Sequence, residues 1–576
     1  MTLLKAVYPN SMKIHQKLWL WATAALLAAA PFPAQADGQI SAGDYLSGQF
    51  ARDNGDMDSA IRRLQQVLKE QPGNTMVAGE LEGMLLLEGH INEATVMAEE
   101  IRKLNAKDPL SGLVLALRSI KNNQPEDAAK ILDATQGGSA QLWLPLVSAW
   151  LDFGRHKLDK PLTVEGLSAD VGHARPLAYY HLALVNAAAG FTDAAAQDFK
   201  NAVEDPRSPS MRVMRMLLAF YEKNGHPAAL TPIVEAYRDS HPGSDEHTDT
   251  AIIATVQDGV SEVLFSMGGI MLGSGMSNDA AIYLQLALFL RPDFPEAQMA
   301  LADSFADQQD YARANDIYGK IAEQSPLYRK AQMHIAVNED RSGKLSDALE
   351  RLDRMAQRFP ADADALITRG DLLRVHGRYG DAVDSYTQAI SRIPELKSNQ
   401  WPLLFARGAC YERIGKWQEA EKDLRQALAL QPDEPDVLNY LAYGWLERGE
   451  SVSEARAMLE KAFRQRPDDA QIADSMGWSL YLSGNYEEAA QYIEKAVDLL
   501  PGDPTVNDHL GDVYWRLGHK TEARYQWERS LNSSPETRLA GDIQKKLKDG
   551  LPPIRLANTV TPVAESKPSI STDATP

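Results

Sequence analysis

The chain has 576 residues, 44% of them hydrophobic, which is enough for several domains or one long repeat array and too apolar to stay unfolded. Its formal net charge of −20 repels phosphate backbones and anionic lipid, so nucleic acid is excluded as a partner. A single cysteine, Cys410, leaves no internal disulfide to hold the fold.

In chain order, the first element is an address. Residues 12–36 read "MKIHQKLWLWATAALLAAAPFPAQA": Lys13, His15 and Lys17 give a basic start, Leu18 to Ala30 an apolar run, and Ala34-Gln35-Ala36 a small-x-small cleavage site. This is the secretory signal pattern, with Met12 the natural start and residues 1–36 removed on export. The run is too short for a permanent anchor, and no cysteine follows it to take a lipid. No later stretch approaches 20 uninterrupted apolar residues.

Residues 37–242 carry a worn periodic pattern. Gly48 leads to Ala51, Gly55, Ala60, Leu64, Val67 and Pro72; Glu82 to Leu85, Gly89, Ala94 and Ala98; Ala116 to Ala128 and Leu132. Ala149 falls in frame, but its second helix, around "KPLTVEGLSAD", is poorly marked. Ala183 leads to Gly190, Ala195 and Phe199, and Leu218 to Tyr221, Gly225 and Pro242. Residues 243–260 then hold a surplus, read as a lengthened next first helix, an insertion or a hinge between two arrays.

From 261 to 535 the pattern is regular. The frame runs through Gly268, Ala302, Ala336, Gly370, Gly408, Ala442, Gly477 and Gly511, at spacings of 34, 34, 34, 38, 34, 35 and 34. Gly477, for example, is followed by Leu480, Gly484, Tyr486, Ala489, Ile493, Ala496 and Pro501. Offsets of three, four and seven mark one helix face. The frame residue must be small where two helices cross, and the alanine twelve positions on is its counterpart. The glycine seven positions on ends the first helix in the left-handed region. A large residue sixteen positions on fills the gap, and a closing proline stops the second helix. One such pair leaves an apolar flank that only a neighbouring pair covers.

With this period and these aromatic, Gly, Ala and Pro positions, the chain resembles the tetratricopeptide-repeat (TPR) family. The stretch from "LNYLAYGWLERG" to "NDHLGDVYWRLGHKTEARYQWERSL" is similar to exported members from Gram-negative bacteria. The resemblance implies an all-α, right-handed solenoid of about 13–14 helix pairs with no β-sheet, a scaffold for binding other proteins, and a periplasmic location. After the repeats, residues 536–550 read as a polar capping helix and 551–576, rich in Pro, Ser and Thr, as a disordered tail.

No catalytic, metal or cofactor-binding constellation is predicted. The chain has no HExxH, CxxC, GxSxG or phosphate loop. In "GGIMLGSG", residues 268–275, the outer glycines already serve the repeat. His509 and His519 lie on different faces and read as packing or solvent-facing, and Cys410 as a small packed side chain. The residues left outside the repeats cannot bury a catalytic core.

A partner site is predicted on the face of the first helices that the core pattern leaves free. Asn439, Tyr443 and Leu446 are followed by Asp474, Trp478 and Tyr481, then by Asp508, Asp512 and Trp515. The core of those helices is already supplied by Leu441, Trp445, Met476, Leu480, Leu510 and Tyr514. The rings are therefore surplus to the interior and, beside carboxylates, suit a basic or apolar protein or peptide segment. The competing reading packs these rings between repeats or against the cap. The function expected is a non-enzymatic scaffold for envelope or secretion proteins. A glycan or cell-wall-fragment binder and an enzyme with a non-standard site inside the array are the alternatives.

Overall fold

The computed structural model describes residues 42–136, 140–167, 175–204, 211–240 and 253–552. The signal segment 1–36, most of the surplus at 243–260 and residues 553–576 lie outside them. Among the described residues there are 28 α-helices and no strand, as the all-α reading requires. They form thirteen complete helix pairs, one helix (Ala140–Gly154) whose second helix is replaced by the short turn Val164–Gly166, and the terminal helix Thr537–Asp549. The pair poorly marked in sequence is the one that shows no second helix among the described residues. No helix among them is long and apolar enough to cross a membrane.

The repeat positions do what their chemistry demands. A Cβ on Gly511 would lie 2.4 Å from the Trp527 ring, one on Gly370 2.5 Å from Tyr386, and one on Gly477 2.4 Å from Ile493. In each case the obstacle is the large residue sixteen positions on, so the frame residue is small because its partner is big. Gly449 ends the helix Pro435–Arg448 at φ 68°, donating back to the Leu446 and Trp445 carbonyls, a conformation in which a Cβ would be strained.

The chain divides into two compact units between Ala331 and Gln332, not at 243–260. In the first unit, helices Val256–Gly273 and Ser277–Leu290 pack among the earlier repeats and share one apolar core with them, from Ala60 to Leu290. Of the three readings of 243–260, the described part shows a lengthened first helix, 18 residues long. It fills the inner side of the amino-terminal repeats. Gly259 lies under the Trp150 ring, where a Cβ would come within 2.1 Å of the indole, and Val256 abuts Gly154. Lys121 Nζ donates to the Phe289 carbonyl at 2.7 Å, and Arg313 pairs with Glu88 at 2.8 Å. Burial all round explains why the helix Thr75–Leu87 is apolar on nearly every face, burying Val77, Ala78, Leu81, Met84, Leu85, Leu86 and Leu87. Glu82, at that helix's frame position, is buried with them and accepts from Ser111 Oγ at 2.8 Å. Burial pushes its pKa up to about 8.

In the second unit the core runs continuously through Leu404, Trp417, Leu441, Trp445, Met476, Leu480, Ile493 and Leu510. Cys410 is buried among Leu373, Tyr386 and Leu403, as the packed-side-chain reading expects. The terminal helix closes the array: Ile543 packs on Ala523 and Trp527, and Gly550 lies against Trp515.

Candidate functional site

The predicted face is carried by three parallel first helices, Pro435–Arg448, Ala470–Leu482 and Pro504–Leu517. Each opens with an acid that ties down its first amide groups or with proline at its first position. Their spacing by one repeat brings residues 35 apart in sequence side by side.

The structure joins the predicted residues into two clusters. In the first, Trp478 is sandwiched, with the Tyr481 ring 4.6 Å away at 11° and the His509 ring 4.0 Å away on a near-parallel plane at 14°. His509 Nδ1 donates to both oxygens of Asp474, at 2.9 and 3.0 Å, and both residues are buried. Burial alone would lower the pKa of His509. The Asp474 carboxylate, with Asp508 and Asp512 behind it, reverses that and holds the ring's pKa above the ordinary histidine value. The imidazole ring stacks on the indole face. Tyr443 stands at the edge of this stack, 6.5 Å from His509. Burial first, and then the neighbouring Glu447 carboxylate, raise its hydroxyl pKa well above the usual tyrosine value.

The second cluster belongs to the terminal helix. Lys546 Nζ donates to Asp508 at 2.7 and 2.9 Å and to Asp512 at 2.9 Å, and Trp527 Nε1 donates to Asp512 at 2.9 Å. Asp512 is raised by burial and by the like charge of Asp508, against the pull of Lys546. Lys546 is raised because the two carboxylates outweigh its own burial. Trp515 packs beside Trp527 at 5.2 Å, under Gly550 and with Lys520 Nζ 3.8 Å over its face.

These contacts correct the sequence reading. Asp474, Asp508 and Asp512 do not line the face as free acids: they are buried, Asp474 held by the His509 ring and Asp508 and Asp512 by the Lys546 ammonium. Tyr481 is a core residue, its hydroxyl accepting from Arg516 Nε at 3.3 Å, and Leu446 is buried as well. Trp515 lies under the cap. The physical reason is the terminal helix, which brings a cation and an apolar flank onto the last repeat. Asn439, Tyr443 and Trp478 remain half-buried. The buried Asn439 Oδ1 and Trp478 Nε1 have no hydrogen-bond partner.

Sequence reasoning missed two neighbours and the central place of a third. Tyr440, beside Asn439 on the same helix, and Phe405, on the first helix one repeat earlier, are both half-buried and meet ring to ring at 5.4 Å and 78°, and Trp401 stands 6.1 Å from Phe405. The signal was present: Phe405 precedes its frame residue Gly408 by three, as Asn439 precedes Ala442. His509, read as packing or solvent-facing, is packed, and it is the hub of the first cluster. The residue it pairs with, Asp474, stands one repeat earlier and one position off in register.

Tetratricopeptide-repeat family descriptions match residues 296–327, 335–396, 401–434 and 446–504. A TPR repeat-containing protein of Pseudomonas aeruginosa is 30% identical over 184 residues, 32% of this chain and 30% of that one. Tetratricopeptide repeat protein 13 of Homo sapiens is 25% identical over 224 residues, 39% of this chain and 22% of that one. The chain thus spans less than a third of the length of either curated relative. Among solved structures, the APC/C hetero-tetramer Cut9–Hcn1 is similar over 88% of this chain and 96% of its own, at 15% identity and a TM-score of 0.38.

Proposed function

We propose that this chain, a tetratricopeptide-repeat protein, is a non-enzymatic interaction scaffold exported to the periplasm, where it holds segments of envelope or secretion proteins on the inner wall of its second unit. The observation that carries the reading is the half-buried row Phe405, Asn439, Tyr440, Tyr443 and Trp478 on successive first helices. Partly open aromatic surface of this kind, flanked by unpaired amide and indole groups, suits an apolar segment. With Asp474, Asp508 and Asp512 neutralised internally, little acidic charge is left to favour a basic one. Export is supported by the residues 12–36 pattern alone. The non-enzymatic reading is supported by how much of the chain the helix pairs take up, from Ala42 to Asn532.

The test is a photo-crosslinking amino acid placed at Tyr443 in the native compartment, with Tyr525, which is 62% exposed on a second helix, as control position. Proteins recovered from Tyr443 and absent from Tyr525 are expected. Equal recovery from both positions, or saccharide alone at Tyr443, overturns the reading. Asn439→Leu sharpens the test. Removing a buried unpaired oxygen should stabilise the fold by about 1 kcal/mol while lowering crosslink yield.

A further inference from the structure

The inner wall of the first unit is occupied, and its occupant has the features of a bound ligand. Trp150 follows its frame residue Ala149 by one, and Tyr180 precedes Ala183 by three. These are the places that Tyr443 and Asn439 hold in the second unit. In the first unit both face the helix Val256–Gly273. Trp150 covers Gly259, and the Tyr180 hydroxyl donates to Glu262 Oε1 at 2.7 Å.

Glu262 is wholly buried. Arg212 grips it twice, Nε to Oε1 at 3.0 Å and Nη2 to Oε2 at 2.8 Å, and turns its remaining nitrogen to Glu296 at 2.8 Å. One helical turn further, Ser266 Oγ meets His181 Nε2 at 3.1 Å. An apolar contact would hold two helices together at lower cost, because burying both ions forfeits their hydration. What a buried pair supplies is register: Gly259 and Glu262, three apart on one face, must meet Trp150 and Arg212 together. The seam is also imperfectly satisfied. Trp150 Nε1 and His181 Nδ1 are buried there without partners.

We infer that the first helices of the amino-terminal repeats form a helix-binding groove whose resident ligand is the chain's own Val256–Gly273. The groove is specific for an apolar helix carrying a glycine and, three residues on, a carboxylate. A partner helix of that chemistry displaces the resident one. This groove is independent of the row proposed above on the second unit.

The probe is a labelled peptide of residues 253–275, added to the full-length chain. Gly259→Leu in the chain drives a side chain into Trp150 and expels the resident helix, while the groove itself is untouched. We expect this variant to bind the peptide at least tenfold more tightly than the unaltered chain. A peptide carrying Glu262→Lys should lose at least tenfold in affinity, and so should the variant when Arg212→Ala is added. A folded Gly259→Leu chain that takes up no peptide, or that takes up the Glu262→Lys peptide equally well, overturns the inference. Should Gly259→Leu not fold, a protease site inserted within 241–252 of the otherwise unaltered chain serves instead. After nicking, excess peptide should release the fragment preceding the cut, and the Glu262→Lys peptide should not. Retention at every peptide concentration overturns the inference.

Discussion

Replacing Lys546 by Met tests how the last repeat is closed. The ammonium sits between Asp508 and Asp512, each carboxylate about 6% exposed, and is itself only 18% exposed. The methionine keeps most of the apolar stem, so the change isolates the charge. Two carboxylates would then share a buried site with no cation but His509, which already serves Asp474. Breaking a buried pair by deleting one partner costs roughly 3–5 kcal/mol, against at most about 1 kcal/mol for an exposed pair. The loss should concentrate on the helix Thr537–Asp549, because in a repeat array each unit leans on its neighbour. Hydrogen exchange of that helix should accelerate by roughly a hundredfold or more at pH 7.5, with the helices before Pro435 unchanged. The sign with pH follows from the carboxylates. Without Lys546 the pull that opposes the burial of Asp512 is gone, so the folded-state pKa of Asp512 rises further, and the penalty is full above that value and fades as acid protonates the carboxyl. The gap between variant and parent should therefore narrow towards pH 4–5, about where free aspartate titrates. Adding Asp508→Asn and Asp512→Asn should recover most of the loss, since no charge is then stranded. An exchange rate within about twofold of the parent at pH 7.5 would mean that water screens the cluster and that the burial argument is wrong.

Three further outcomes are expected. Glu82 has its folded-state pKa raised to about 8 by burial, so the folded chain holds a proton that the unfolded chain releases from about pH 4.5 upward. Stability should fall through that window by up to roughly 1.4 kcal/mol per pH unit and level off above it. Glu82→Gln should flatten the slope and raise the melting temperature at pH 8; an unchanged slope refutes the burial of a neutral acid. Gly511→Leu must displace the Trp527 ring that a Cβ already meets at 2.4 Å, costing about 1–3 kcal/mol in chemical denaturation, whereas Gly502→Leu, with open space around it, should cost far less. Burial pushes the Cys410 thiol up to about 11, so a thiol reagent at pH 8 should label it only at the rate of unfolding. Prompt labelling of the native chain would place that side chain at the surface.

Local covalent rules made the repeat legible. A crossing that tolerates only a small residue, a helix end that needs positive φ and a ring sixteen positions on all leave marks at fixed spacing. These marks determined the all-α class, the thirteen pairs and the defective pair after Ala149. They also placed the polar terminal helix. What they could not determine was which faces stay open, because that depends on segments far apart in sequence. Asp508 and Asp512 read as free acids until Lys546, 38 and 34 positions away, arrives between them. Trp150 and Tyr180 stand at wall positions, yet helix Val256–Gly273 covers them, and Glu262 finds Arg212 fifty positions back. The one trace of that closure in the sequence was the apolarity on nearly every face of helices such as Thr75–Leu87, which a helix with one wet face does not need. A repeat period records how each pair meets the next; whether its inner wall is open or filled is decided only when the chain returns on itself.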